Sequence, residues 1–125
     1  MVWLYSGGYR FGDTADAGRL AREGGVLLVN YRVGAEGFAL VEGAPANPGL
    51  LDQVAALERV RDSIAGFGGD PGRVTVFGQS AGAGSIAVLM TTPYAPWEAL
   101  AGGVAADVDL VVGHNRDGFR LTCTN

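Results

Sequence analysis

Cysteine and histidine are almost absent from these 125 residues, each occurring once, as Cys123 and His114. One cysteine excludes an internal disulfide. One cysteine with one histidine leaves too few ligands for a zinc site. Basic residues are scarce as well, nine against thirteen acidic ones, and they leave a formal net charge of −4 with no basic cluster. The chain therefore carries no electrostatic footprint for nucleic acid or an anionic membrane surface. Long apolar runs are also lacking: none reaches 18 residues. The opening MVWLYSGGYR has neither the basic start nor the long apolar stretch of a signal peptide. The expectation is a soluble, cytoplasmic protein with no metal, no cofactor, no nucleic-acid partner and no membrane.

Glycine is what the chain has in excess. It accounts for 21 of 125 residues, roughly 17% against a usual ~7%. Five prolines added to these stay under the level of a disordered chain, and 48% hydrophobic residues is globular composition. Many tight turns between strands and helices would use this much glycine. The pattern along the chain supplies them. MVWLY (Met1–Tyr5) reads as a strand broken by Gly7-Gly8, and ADAGRLAREGG as a helix stopped by Gly24-Gly25. GVLLVNYRV has the length of a buried strand, whereas EGFALVEGAPANPG reads as loop. Apolar residues at 50, 54, 57, 60 and 64 trace one face of a helix that GFGGDPG closes. RVTVF is a third strand, Ala81 to Met90 a further helix, and VDLVVG (Val108–Gly113) a fourth strand.

Strands alternating with helices predict a single α/β domain over 1–125, with a mostly parallel sheet covered by helices on both faces. Sites in such sheets lie beyond the carboxyl ends of the strands. Three segments leave those ends here: Ser6–Gly12, Gly78–Gly82 and His114–Gly118.

The second of these holds Gly78-Gln79-Ser80-Ala81-Gly82, a G-x-S-x-G pattern. Composition alone predicts roughly 0.1 chance matches, and the context adds weight: a strand precedes the pattern and a helix follows it. That is the arrangement of a nucleophile elbow, a turn so sharp that both flanks need glycine. The helix start under Ser80 also favours developing negative charge. An elbow serine requires donors for an oxyanion, one from the next residue, Ala81, and others from a separate loop. YSGGYRFG supplies a candidate, with Gly7 and Gly8 able to turn bare amides toward a substrate. Gly82-Ala83-Gly84-Ser85-Ile86-Ala87 overlaps the elbow and fits a dinucleotide-binding pattern. Its first glycine falls past the strand end, however, and no strand ending in an acid follows about 20 residues on.

VWLYSGGYRFG, VNYRVGAEGF, the block NPGLLDQVAALERVRDSIAGFGGDPGRVTVFGQSAGA and WEALAGG with VDLVVGHNRD together resemble the type B carboxylesterases, the cholinesterase-like family. The resemblance covers nearly the whole chain. It implies a partial α/β-hydrolase fold and hydrolysis of a small-molecule carboxylic ester through an acyl-serine, with Ser80 as nucleophile and Gly7, Gly8 and Ala81 as oxyanion-hole donors.

The departures bear on catalysis. Ser6 stands where the family's glycine-rich loop begins with glycine, although the two donor glycines remain. A long segment between LMTTP and YAPWEAL reads as deleted, and the chain reads as truncated at both ends. RDG puts Gly118 at the position of the family's triad glutamate. No residue matches the triad histidine; His114 sits on the correct rim, but Asp107 and Asp109 ahead of it lie within or before the strand, and Asp117 follows it, against the family's order of serine, acid, histidine. The chain alone is therefore expected to be inactive or a very weak catalyst. The alternative is a non-catalytic, esterase-like binding or interaction domain, and apolar surface left uncovered would favour self-association.

Overall fold

Three short strands lie side by side, all running the same way. In the computed structural model, which describes residues 1–14, 18–22, 24–90 and 109–113, β1 (Val2–Leu4), β2 (Leu27–Leu28) and β3 (Val76–Gly78) form a parallel sheet in the order β2-β1-β3. The apolar start of the chain is thus the centre of the sheet, where burial on both edges suits Val2 and Leu4, neither of which reaches solvent. Covering each such side chain contributes about 1.5–3 kcal/mol. Register pairs Val2 with Val76 and Trp3 with Phe77. Val76 therefore shares the face of Val2 and Leu4, while Trp3 and Phe77 share the other, their rings 5.0 Å apart.

Among the described residues α1 (Gly18–Arg22) lies between β1 and β2, α2 (Gly34–Phe38) and α3 (Pro48–Ser63) lie between β2 and β3, and α4 (Ala81–Leu89) follows β3. Pro48 opens α3, where its fixed φ suits the first helical turn and its missing N–H costs nothing. A 3-10 turn over Ile64–Phe67 extends α3 until Gly68, at φ 80°, closes it by donating its N–H to Ala65. Ala56, Leu57 and Val60 of α3 and Ile86 and Leu89 of α4 pack against the cluster of Val2, Leu4, Tyr5, Val29 and Tyr31. The apolar face expected along α3 is turned inward, but its most deeply covered positions are Gly49 and Gln53. Gly49 sits against the Phe38 ring, which a Cβ would meet at 2.8 Å. Gln53 donates its Nε2 to the Oγ of Ser85 in α4 at 3.2 Å, and neither side chain reaches solvent.

Three expectations are corrected. The segment expected to be loop from Glu36 begins inside α2, because that helix is held by tertiary contact: Gly37 lies on the Arg32 carbonyl and α2 packs along α3. The second strand is two residues rather than nine. Past Leu28 the chain leaves β1, and Val29 and Tyr31 are buried by side-chain packing instead of ladder bonds. The fourth strand is not formed over Asp109–Gly113, which is irregular, with Val111 and Val112 exposed. A strand needs a neighbour's free edge, and among the described residues this segment pairs with none. Among the described residues the sheet therefore has three strands, not four.

Candidate active site

Ser80 stands between β3 and α4, the last residue before the helix begins. Its backbone has φ 53° and ψ −115°, one of three positive-φ positions occupied by a residue other than glycine among the described residues. Such a conformation costs about 1–3 kcal/mol and persists only where the surroundings impose it. They do so through the glycines on either side. A Cβ on Gly78 would stand 2.7 Å from the Gly82 backbone and 2.8 Å from the Leu4 carbonyl oxygen. One on Gly82 would overlap that same oxygen and lie 2.8 Å from the oxygen of Tyr5. The turn is thus wedged against the carboxyl end of β1, and the serine is pushed outward to an exposed position. Its carbonyl accepts from Gly84 at 2.9 Å, and Gln79 accepts from Gly82 at 2.9 Å, so the helix is bonded from its first turn. Ala81, buried, is the first helical residue.

Gly7 and Gly8 lie in the turn that leaves β1. Because Leu4 pairs with Gly78, this turn and Ser80 leave neighbouring strands at the same end of the sheet. Gly7, Gly8 and Tyr9 follow one another at φ 113°, 61° and 62°. Gly7 is obligatory, since a Cβ would collide with the Phe11 carbonyl, and its own carbonyl accepts from Arg10 and Phe11. The far side of the turn reaches α4, where the Tyr9 hydroxyl rests against Gly84.

Beneath this turn are two residues that the motifs do not reveal. The rings of Tyr5 and Tyr31 stack at 4.2 Å, 6° from parallel. The Tyr5 hydroxyl donates to the Tyr31 carbonyl at 2.6 Å, and the Tyr31 hydroxyl donates to the Tyr5 carbonyl at 2.8 Å. Burial disfavours the phenolates, pushing Tyr5 up and Tyr31 up to about 12. Nearby, Asp52 takes two prongs from the Arg32 guanidinium at 2.6 and 2.7 Å and the Arg32 N–H at 3.0 Å. These bonds hold its carboxyl below the usual carboxylate range. A tyrosine in each of two apolar runs was the only sequence signal for the pair, and it does not specify their meeting.

His114, Asp107, Asp117 and Gly118 lie outside the described residues. Asp109 is described and lies, exposed, in the irregular segment. No group of three or more His, Cys, Asp or Glu is placed to hold a metal among the described residues, and no described helix is long and apolar enough to cross a membrane.

Residues 1–106 match the Carboxylesterase family. Cholinesterase 1 of Branchiostoma lanceolatum is 50% identical over 101 residues, a match covering 74% of this chain and 28% of that protein. Para-nitrobenzyl esterase of Bacillus subtilis (strain 168) is 47% identical over 105 residues, 76% of this chain and 22% of the enzyme. The solved structure of a PNB esterase superposes with a TM-score of 0.66 at 46% identity, covering 74% of this chain and 22% of that one. A thermophilic PNB esterase gives the same TM-score at 45% identity, covering 74% and 21%. The chain spans about a quarter of the length of these relatives.

Proposed function

The chain belongs to the carboxylesterase family, and from that premise we propose that Ser80 is the nucleophile of a serine carboxylesterase. Its Oγ attacks the carbonyl carbon of a small-molecule carboxylic ester and gives up its proton to a base. The tetrahedral oxyanion collapses with loss of the alcohol, leaving an acyl-serine that water hydrolyses. Gly7, Gly8 and Ala81 are the oxyanion donors in this reading, with the start of α4 adding its dipole. The observation that carries it is the strained φ of Ser80 between two glycines that cannot bear a Cβ. A fold has no structural reason to hold a serine so, and strain of this kind gathers where a side chain must be presented. The names of the two relatives, a cholinesterase and a para-nitrobenzyl esterase, point to the same class of chemistry.

A fluorophosphonate probe tests the assignment. With no match for the family's triad histidine in these 125 residues, labelling is expected to be slow, but peptide mapping should place the label on Ser80, and Ser80→Ala abolish it. A chain that is folded by circular dichroism yet takes no label overturns the nucleophile and favours a binding domain instead.

A further inference from the structure

The glycine turn carrying the proposed oxyanion donors is a poor device on its own. Gly7 and Gly8 have no side chains to lock them, and glycine moves between backbone wells at little cost. Donors for an oxyanion act by being fixed in advance, so something else must hold the turn. At its far end, Tyr9 does this: its carbonyl accepts from the Gly34 N–H at 2.6 Å, and its ring meets Phe38 edge-on at 5.0 Å.

We infer that Tyr31 is the positioning residue at the near end, its hydroxyl fixing the peptide group between Tyr5 and Ser6 and through it the amides of Gly7 and Gly8. The inference rests on the reading of Ser80 and its donors given above. The Tyr5 carbonyl is held from two sides, by the Tyr31 hydroxyl at 2.8 Å and by the glycine face of α4 at Gly82. One side is thus the helix that carries the nucleophile. The Tyr5 ring is pinned as well, stacked on Tyr31 and covered by Gly12, where a Cβ would stand 2.6 Å from it. A pair that only filled space would be served by two phenylalanines, since a buried hydroxyl costs free energy unless it is bonded. Here both hydroxyls are spent on backbone carbonyls, and one of those carbonyls begins the turn.

The reciprocal pair supplies its own control. Tyr31→Phe and Tyr5→Phe each delete one buried hydroxyl from the same stack, but only Tyr31→Phe releases the Tyr5 carbonyl. The Tyr5 hydroxyl also accepts from the Tyr31 N–H at 3.4 Å, so a purely structural role predicts that Tyr5→Phe, which removes two bonds, disturbs the turn at least as much as Tyr31→Phe. Positioning predicts that amide hydrogen exchange at Arg10 and Phe11, whose N–H groups close the turn on the Gly7 carbonyl at 3.1 and 3.3 Å, accelerates at least ~10-fold in Tyr31→Phe and less than ~3-fold in Tyr5→Phe, with exchange in α3 as reference. Misplacing a catalytic group by about 1 Å costs up to ~100-fold, so fluorophosphonate labelling of Ser80 should slow ~10–100-fold in Tyr31→Phe and markedly less in Tyr5→Phe. Equal exchange in the two variants, or unchanged exchange in Tyr31→Phe, overturns the inference. Should Tyr31→Phe fail to fold, 3,5-difluorotyrosine incorporated at Tyr31 keeps the bond with a stronger donor and is expected to slow exchange in the turn; no change there overturns the inference equally. If the unmodified chain takes no label at Ser80, the nucleophile assignment fails, while the exchange comparison still decides whether Tyr31 holds the turn.

Discussion

Gly82 lies with its Cα directly against the carbonyl of Leu4, so that one added methyl would overlap the oxygen and approach the carbonyl carbon to 2.7 Å. Both partners are backbone, one in the central strand and one in the first turn of α4, and neither can swing aside. Gly82→Ala should therefore cost toward the upper end of the ~1–3 kcal/mol typical of overpacking, read as a fall in the urea midpoint. Gly8→Ala is the contrasting case: no atom lies within 4 Å of its Cβ, and only its φ of 61° opposes the change.

Ser80 trades stability for presentation. Ser80→Gly relieves the φ 53° strain at the cost of some unfolded-chain entropy, and the balance is a gain of about 1 kcal/mol. Ser80→Ala keeps the strain and should shift stability by less than ~0.5 kcal/mol. Both variants lose probe labelling. Equal stability in Gly and Ala variants would show that the turn is not strained.

Acid should weaken the fold through Asp52. Hydrogen bonding to Arg32 lowers its proton affinity in the folded chain relative to the unfolded one. The pair thus stabilises above the unfolded carboxylate pKa of about 4, and that contribution is lost as pH falls through the lower folded value. In chemical denaturation at several pH values, Asp52→Asn should trail the parent chain at pH 5–8, with the gap starting to close only as pH falls below about 4.

At the alkaline end the sign reverses. With Tyr31 pushed up to about 12, the folded state favours the neutral phenol; this stability is full below an unfolded pKa near 10 and fades as pH rises toward 12. Absorbance at 295 nm should show a late-titrating tyrosine that Tyr31→Phe removes.

For p-nitrophenyl esters the 125-residue polypeptide is expected to show no saturable turnover above about 10⁻² s⁻¹. Loss of a triad's histidine costs on the order of 10⁶-fold from a typical ~10 s⁻¹. His114 is the one histidine among these 125 residues. Turnover near 1 s⁻¹ that vanishes in Ser80→Ala would show that a base is found, with His114→Ala the next variant to measure.

Legibility in the sequence followed the range of the forces involved. The sharp turn at Ser80 was visible because strand, glycine, serine, glycine and helix are consecutive, and each step is imposed by local sterics. Helix α3 was visible because its apolar spacing repeats over four turns. Helix α2 was not, being five residues whose Phe38 ring is held by Tyr9 and Gly49, both distant in sequence. Tyr5 and Tyr31 are 26 residues apart and Gln53 and Ser85 are 32 apart, so nothing local announced either pair. VDLVVG had the composition of a strand, yet Asp109–Gly113 pairs with no described strand, and pairing is a property of two segments.

The central position of β1 also sets a schedule. It is the earliest of the three strands to be synthesised, yet its partners arrive 25 and 74 residues later. Until then both its edges offer unpaired N–H and C=O groups to any passing chain. Closing so long a loop is slow, because its entropy is spent before the contacts repay it. The wedge of Gly78 and Gly82 against Leu4 can form only when β3 docks. The strained serine is thus among the last features the folding chain acquires, and a chain halted on the way has an open sheet and no elbow.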